Sequence, residues 1–69
     1  MNWNALTSNS TQTRLLKQFA EGEVSGRGLY EVYKNTDNGG MVRNLLREKG
    51  VSEARRLARK ALDRRFAKS

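Results

Sequence analysis

The chain has 69 residues, of which fourteen are Lys or Arg and seven Asp or Glu, giving a net charge of +7 at neutral pH. It has no Cys and no His, so a disulfide framework, a thiolate metal site and the commonest general base are all excluded. No apolar run approaches the roughly 20 residues of a membrane span, and the opening MNWNALTSNS lacks the basic and apolar regions of a secretion signal; a cytoplasmic location with no membrane contact is expected.

Residues 1–9 are polar around Trp3 and Leu6 and are expected as a flexible N-terminal arm, which those two side chains could pin. A first helix is predicted from Asn9 or Ser10. Asn9 with Gln12 three residues on resembles a capping box, Leu15, Leu16, Phe19 and Ala20 make an apolar stripe, and Gly22 suits a left-handed ending. Ser25 can cap a second helix to about Asn35, with Leu29, Val32 and Tyr33 inward. NTDNGG reads as a turn. Asp37 or Asn38 then caps a third helix to Lys49, with Met41, Val42, Leu45 and Leu46 inward; Gly50 and Val51 match a Schellman ending in which Val51 folds back onto that face.

Ser52, followed by Glu53, caps a last helix over about 52–68. At 100° per residue with Ala58 at zero, Leu57, Ala61, Ala54, Leu62 and Phe66 fall between about −100° and +80°. Arg56, Arg59, Lys60 and Arg64 fill the opposite arc, with Lys68 at its margin. One face is core and the other a dense basic stripe.

Strand signals are poor, since the chain has no Ile and only four Val. The expected fold is therefore all-α, a bundle of three to four short helices forming a single domain over 10–69 and ending in a basic amphipathic helix. The expected core is Leu15, Leu16, Phe19, Leu29, Val32, Tyr33, Val42, Leu45, Leu46, Leu57, Leu62 and Phe66. Leu, Val and Phe supply only fourteen of 69 residues, so the core is thin and self-association, as a homodimer, would add stability.

Charge is segregated along the chain. Residues 1–40 hold four basic and four acidic side chains, whereas residues 41–69 hold ten basic against three acidic, so the whole net charge lies in the C-terminal part. Solubility alone requires no such segregation; a surface that meets a polyanion does.

Other motifs are weaker. SGRG at Ser25–Gly28 lacks the remaining residues and the preceding strand of a P-loop, so it reads first as a helix entry, with Arg27 as its candidate phosphate contact. NTDNGG has too few carboxylates for calcium, and no metal or cofactor is expected. Tyr33 belongs to the core stripe; Tyr30 reads first as a rim residue and otherwise as a base or phosphate contact, and Trp3 as either an anchor or a partner contact. No carboxylate pair has the spacing of a catalytic dyad, so an enzyme is not expected. Short helices with glycine-containing turns are compatible with a helix-turn-helix, but Lys17, Gln18 and Glu21 stand where that motif wants small or apolar residues. In size and in its basic helix the chain resembles small regulators of phages and plasmids, without a motif match.

The expected function is nucleic-acid binding, with duplex DNA favoured over RNA, in a regulatory or accessory role. Arg55, Arg56, Arg59, Lys60 and Arg64 are the central candidates, and Arg43, Arg47, Lys68 and Arg27 could extend the patch. Guanidinium groups suit bidentate contact with phosphate or guanine. The alternatives are an effector that docks its basic face on an acidic surface of a larger enzyme or polymerase, and an RNA- or ribosome-associated protein.

Overall fold

The computed structural model describes residues 2–66 and builds them into four helices: α1 (Trp3–Leu6), α2 (Ser10–Ala20), α3 (Gly26–Tyr33) and α4 (Gly39–Arg65). There is no strand among the described residues, and the fold is the expected small all-α bundle.

The helix boundaries follow local chemistry. Asn9 is extended at the start of α2, and its side-chain oxygen accepts the Gln12 N–H at 2.8 Å, satisfying one of the donors a helix start leaves orphaned. At the other end Gly22 adopts φ +89°. The Gly22 N–H donates to the Phe19 carbonyl and the Glu23 N–H to the Gln18 carbonyl, at 3.1 and 2.8 Å; this is the paired bonding of a Schellman ending. Ser25 caps α3 by accepting the Gly28 N–H at 3.0 Å.

The predicted third and fourth helices are the two arms of α4, residues 39–49 and 51–65, separated at Gly50 with φ 82° and ψ 162°. This differs from the expected Schellman ending, because ψ lies far from the left-handed helical value. Val51 nonetheless lies with Leu46, a residue of that apolar face, around Gly26. It is 42% exposed and packs beside Gly26, where an added Cβ would come within 3.0 Å of its Cγ2. Gly50 occupies a backbone region that is essentially closed to other residues. Gly50→Ala is therefore expected to lower stability by about 1–3 kcal/mol. Gly40→Ala, in the first turn of α4 with open space around it, should be neutral or stabilising by up to about 1 kcal/mol. Thermal melts of the two variants should move apart.

The core joins all four helices. Leu6, Leu16, Phe19, Leu29, Tyr33, Val42, Leu45, Ala54, Ala58 and Leu62 are buried, and Val32, Leu46 and Leu57 pack partly buried against them. Ala54 and Ala58 let the second arm of α4 lie close to its neighbours. Two expected core residues stand elsewhere. Leu15 is only half-buried. Phe66 is 53% exposed, because it is the C-cap of α4, where the backbone has left helical geometry (φ −109°, ψ 18°) and a helical wheel no longer describes its direction.

The segment expected as a flexible arm is instead packed onto the body. Leu6 is fully buried, and α1 is tied down by donors from distant residues. The Tyr33 hydroxyl donates to the Leu6 carbonyl at 2.6 Å, and the Asn38 side-chain amide to the Ala5 carbonyl at 3.2 Å. These bonds satisfy carbonyls that a one-turn helix leaves unpaired. The Asn38 side chain is directed to α1 by its bond and makes no cap at the start of α4.

Candidate nucleic-acid interface

The second arm of α4 carries the candidate site. Its inner face is held by Ala54, Ala58 and Leu62, which directs Arg59, Lys60 and Arg64 outward, where all three are exposed. No carboxylate among the described residues lies within ion-pair distance of them. Arg64 and Arg65 occupy the last turn, where positive charge faces the negative end of the helix dipole favourably.

Arg56 is also exposed, but its charge is engaged. Its Nε and one terminal nitrogen donate to the Glu53 carboxylate at 2.9 and 2.5 Å. That hydrogen bond holds the Glu53 carboxyl below its ordinary pKa and raises that of Arg56. Arg56 can still meet a phosphate, but in competition with its own neighbour.

Arg55 leaves the site. It is half-buried, with its guanidinium 4.6 Å from the centre of the Phe19 ring. It donates to the Phe19 carbonyl and, at 2.9 Å, to the Val24 carbonyl. Arg55 thus supplies donors to carbonyls at the end of α2 and in the turn that follows, and is a structural residue. Its wheel angle, about +60° from Ala58, already lay on the inner side. Arg55→Ala is expected to cost about 1–3 kcal/mol, the range for stranding hydrogen-bonded groups. Arg59→Ala should stay within about 0.5 kcal/mol. Urea denaturation of the two variants distinguishes the roles.

The remaining candidates are spread out. Arg43 and Arg47 are exposed on the first arm of α4, but the break at Gly50 means that helical periodicity does not join them to Arg59, Lys60 and Arg64. Arg27 is exposed near the start of α3. Lys68 lies outside the described residues.

Two grooves flank the second arm. One, of about 440 Å³, runs against α2 and is lined by Thr13, Lys17, Ala20, Glu21, Arg59, Leu62, Asp63 and Phe66. Its two carboxylates oppose its two cations, which makes it a poor phosphate site. The other, of about 590 Å³, runs against α1 and is lined by Asn2, Trp3, Asn4, Leu57, Lys60, Ala61, Arg64 and Arg65. It contains three cations, no carboxylate and the chain's single tryptophan.

Arg65, Asn2 and Asn4 were not among the sequence candidates. Arg65 falls at about −20° on the wheel, within the inner stripe. That was the one available signal that it points toward another segment, here the Asn4 side-chain oxygen at 2.8 Å. No signal marked Asn2 or Asn4, since their role depends on α1 reaching α4.

Among the described residues no group of three or more His, Cys, Asp or Glu side chains could hold a metal ion, and no helix is long and apolar enough to cross a membrane. Comparison with protein-family models, with curated proteins and with solved structures finds no match for this chain.

Proposed function

We propose that the protein binds nucleic acid, with duplex DNA the favoured target, through the outward face of the second arm of α4 in a regulatory or accessory role. The observation that carries this reading is the concentration of the entire net charge in residues 41–69 together with the exposure of Arg59, Lys60 and Arg64 on one helix. Such a face neutralises backbone phosphates and releases their counterions, which gives sequence-independent affinity that falls with salt. Arg59 and Arg64 can also present paired donors to a phosphate or a guanine edge. Arg56 serves at the margin of the face, because Glu53 already takes two of its nitrogens as donors.

The test is the salt dependence of duplex binding for the wild type and for the double variant Arg59→Ala/Arg64→Ala. The variant should fold normally and bind more weakly, and its log–log slope against salt should be shallower by roughly 0.9 for each phosphate no longer neutralised. A residue that reads a base edge would instead cost about 1–3 kcal/mol on a preferred site and little elsewhere. Equal affinities and equal slopes for both proteins would reduce the face to ordinary solvated surface. Preference for an A-form RNA duplex would move the target to RNA. A protein captured from lysate that survives nuclease treatment, with no duplex binding, would favour docking on an acidic protein surface.

A further inference from the structure

The groove between α1 and the second arm of α4 shares Lys60 and Arg64 with the open basic face and adds Trp3, Asn2, Asn4 and Arg65. Its lining residues supply hydrogen-bond donors almost exclusively. Lys60, Arg64 and Arg65 are cationic. The Asn2 side-chain oxygen is occupied by the Ala5 N–H at 3.3 Å, and the Asn4 oxygen by Arg65 at 2.8 Å. Each of these oxygens already accepts one bond, and each amide also carries an NH₂ group that can donate to a ligand. A site of this kind wants a ligand rich in acceptors and negative charge.

Trp3 adds a second requirement. Its indole packs partly buried against the core and also lines the groove. The turn that carries it is fixed at both ends, by the Asn2 cap and by the Thr7 hydroxyl donating to the Trp3 carbonyl at 3.0 Å. A partly buried indole beside cations is the arrangement by which proteins stack an unpaired base while holding its phosphate. A base within a duplex has both faces covered by its neighbours and cannot use it. The volume, about 590 Å³, lies within the roughly 300–1,000 Å³ of small-ligand sites.

We propose that this groove holds one unpaired nucleotide of a nucleic-acid strand, with its base against Trp3 and its phosphate between Lys60 and Arg64. The proposal rests on the nucleic-acid reading above and sharpens it: the protein takes a single strand, or an unpaired nucleotide beside a duplex, in a subsite that the duplex-facing stripe does not provide. The Asn2 and Asn4 amides are placed to donate to base carbonyls, of which thymine and uracil carry two.

The single tryptophan makes the test direct. Titrating the full chain with a short oligothymidylate should quench Trp3 fluorescence in a salt-sensitive way. A blunt duplex and inorganic polyphosphate should bind without comparable quenching. Trp3→Leu should weaken oligothymidylate binding by roughly 5- to 150-fold, the span for removing one base–aromatic stack, and Trp3→Phe should recover part of it. Lys60→Ala should weaken binding and shallow the salt slope while the quench at saturation persists. Circular dichroism checks that each variant is folded, and the wild-type titration decides the matter even if Trp3→Leu does not fold. Oligothymidylate binding with unchanged fluorescence, or quenching by polyphosphate to the same extent, would overturn the groove assignment and leave the duplex reading standing. Failure of oligothymidylate and duplex alike to bind would overturn both.

Discussion

Phe19→Ala is expected to remove about 3–5 kcal/mol of stability. A domain of this length has only about 3–10 kcal/mol in total, at roughly 0.05–0.15 kcal/mol per residue, so much of the population should be unfolded at room temperature. Phe19 is fully buried at the centre of the core, and three effects converge on its removal. A large apolar surface is lost, a cavity is left that four short helices can only partly close, and the Arg55 guanidinium loses the ring it covers at 4.6 Å. The last effect couples the two residues. A double-mutant cycle of Phe19→Leu and Arg55→Met should show a non-additive term of about 0.5–3 kcal/mol, as expected for residues in contact. Urea denaturation followed by circular dichroism measures both quantities. A Phe19→Ala protein with the wild-type midpoint would place the core elsewhere.

Alkaline pH should remove about 3 kcal/mol through Tyr33. Its ring is fully buried, and burial pushes the hydroxyl pKa up to about 12 from the ordinary value of 10.0. Folding therefore keeps a proton that the unfolded chain releases. The contribution is fully present below pH 10, declines as pH rises from there, and is lost once pH passes about 12; two pKa units correspond to about 2.7 kcal/mol. The cause is burial, which keeps water from the ionised phenolate; around the oxygen stand the Leu6 carbonyl at 2.6 Å and the Gln12 carbonyl at 3.4 Å, acceptors with nothing to donate. Tyr33→Phe should be less stable than wild type at neutral pH, for want of those bonds, and should lose less stability between pH 10 and 12. Denaturation midpoints at several pH values compare the two proteins while lysine titration acts on both. Parallel curves would show that the Tyr33 hydroxyl is not buried.

The consequence for function is that α1 depends on Tyr33. The same hydroxyl that anchors Leu6 fixes the turn carrying Asn2, Trp3 and Asn4, which form one wall of the groove. Loss of that anchor should loosen the groove while leaving the outward face of Arg59 and Lys60 in place. Lys60 and Arg64 serve both surfaces, so it is substitutions acting on the α1 wall, Tyr33→Phe and Trp3→Leu, that separate them.

What the sequence determined by itself is everything set within about one helical turn. Asn9, Gly22 and Ser25 mark the ends of α2 and the start of α3 because a cap bonds a backbone group two or three residues away. The stripe Ala54, Ala58 and Leu62 faces inward because residues four apart share a helix side, and the same geometry sends Arg59, Lys60 and Arg64 outward. The all-α class and the exposed basic face were legible on those grounds. Tertiary structure decided whatever depends on where a neighbouring element ends. Arg55 became a structural residue because the end of α2 and the turn after it bring the Phe19 and Val24 carbonyls to it across more than thirty residues. Residues 2–9 became part of the body because Tyr33, Asn38 and Arg65 reach back to them across 27, 33 and 61 residues. A helical wheel gives the direction of a side chain and not what stands there. Whether an arginine meets a carbonyl, a carboxylate or water is set by chain segments too distant in sequence for any local pattern to record.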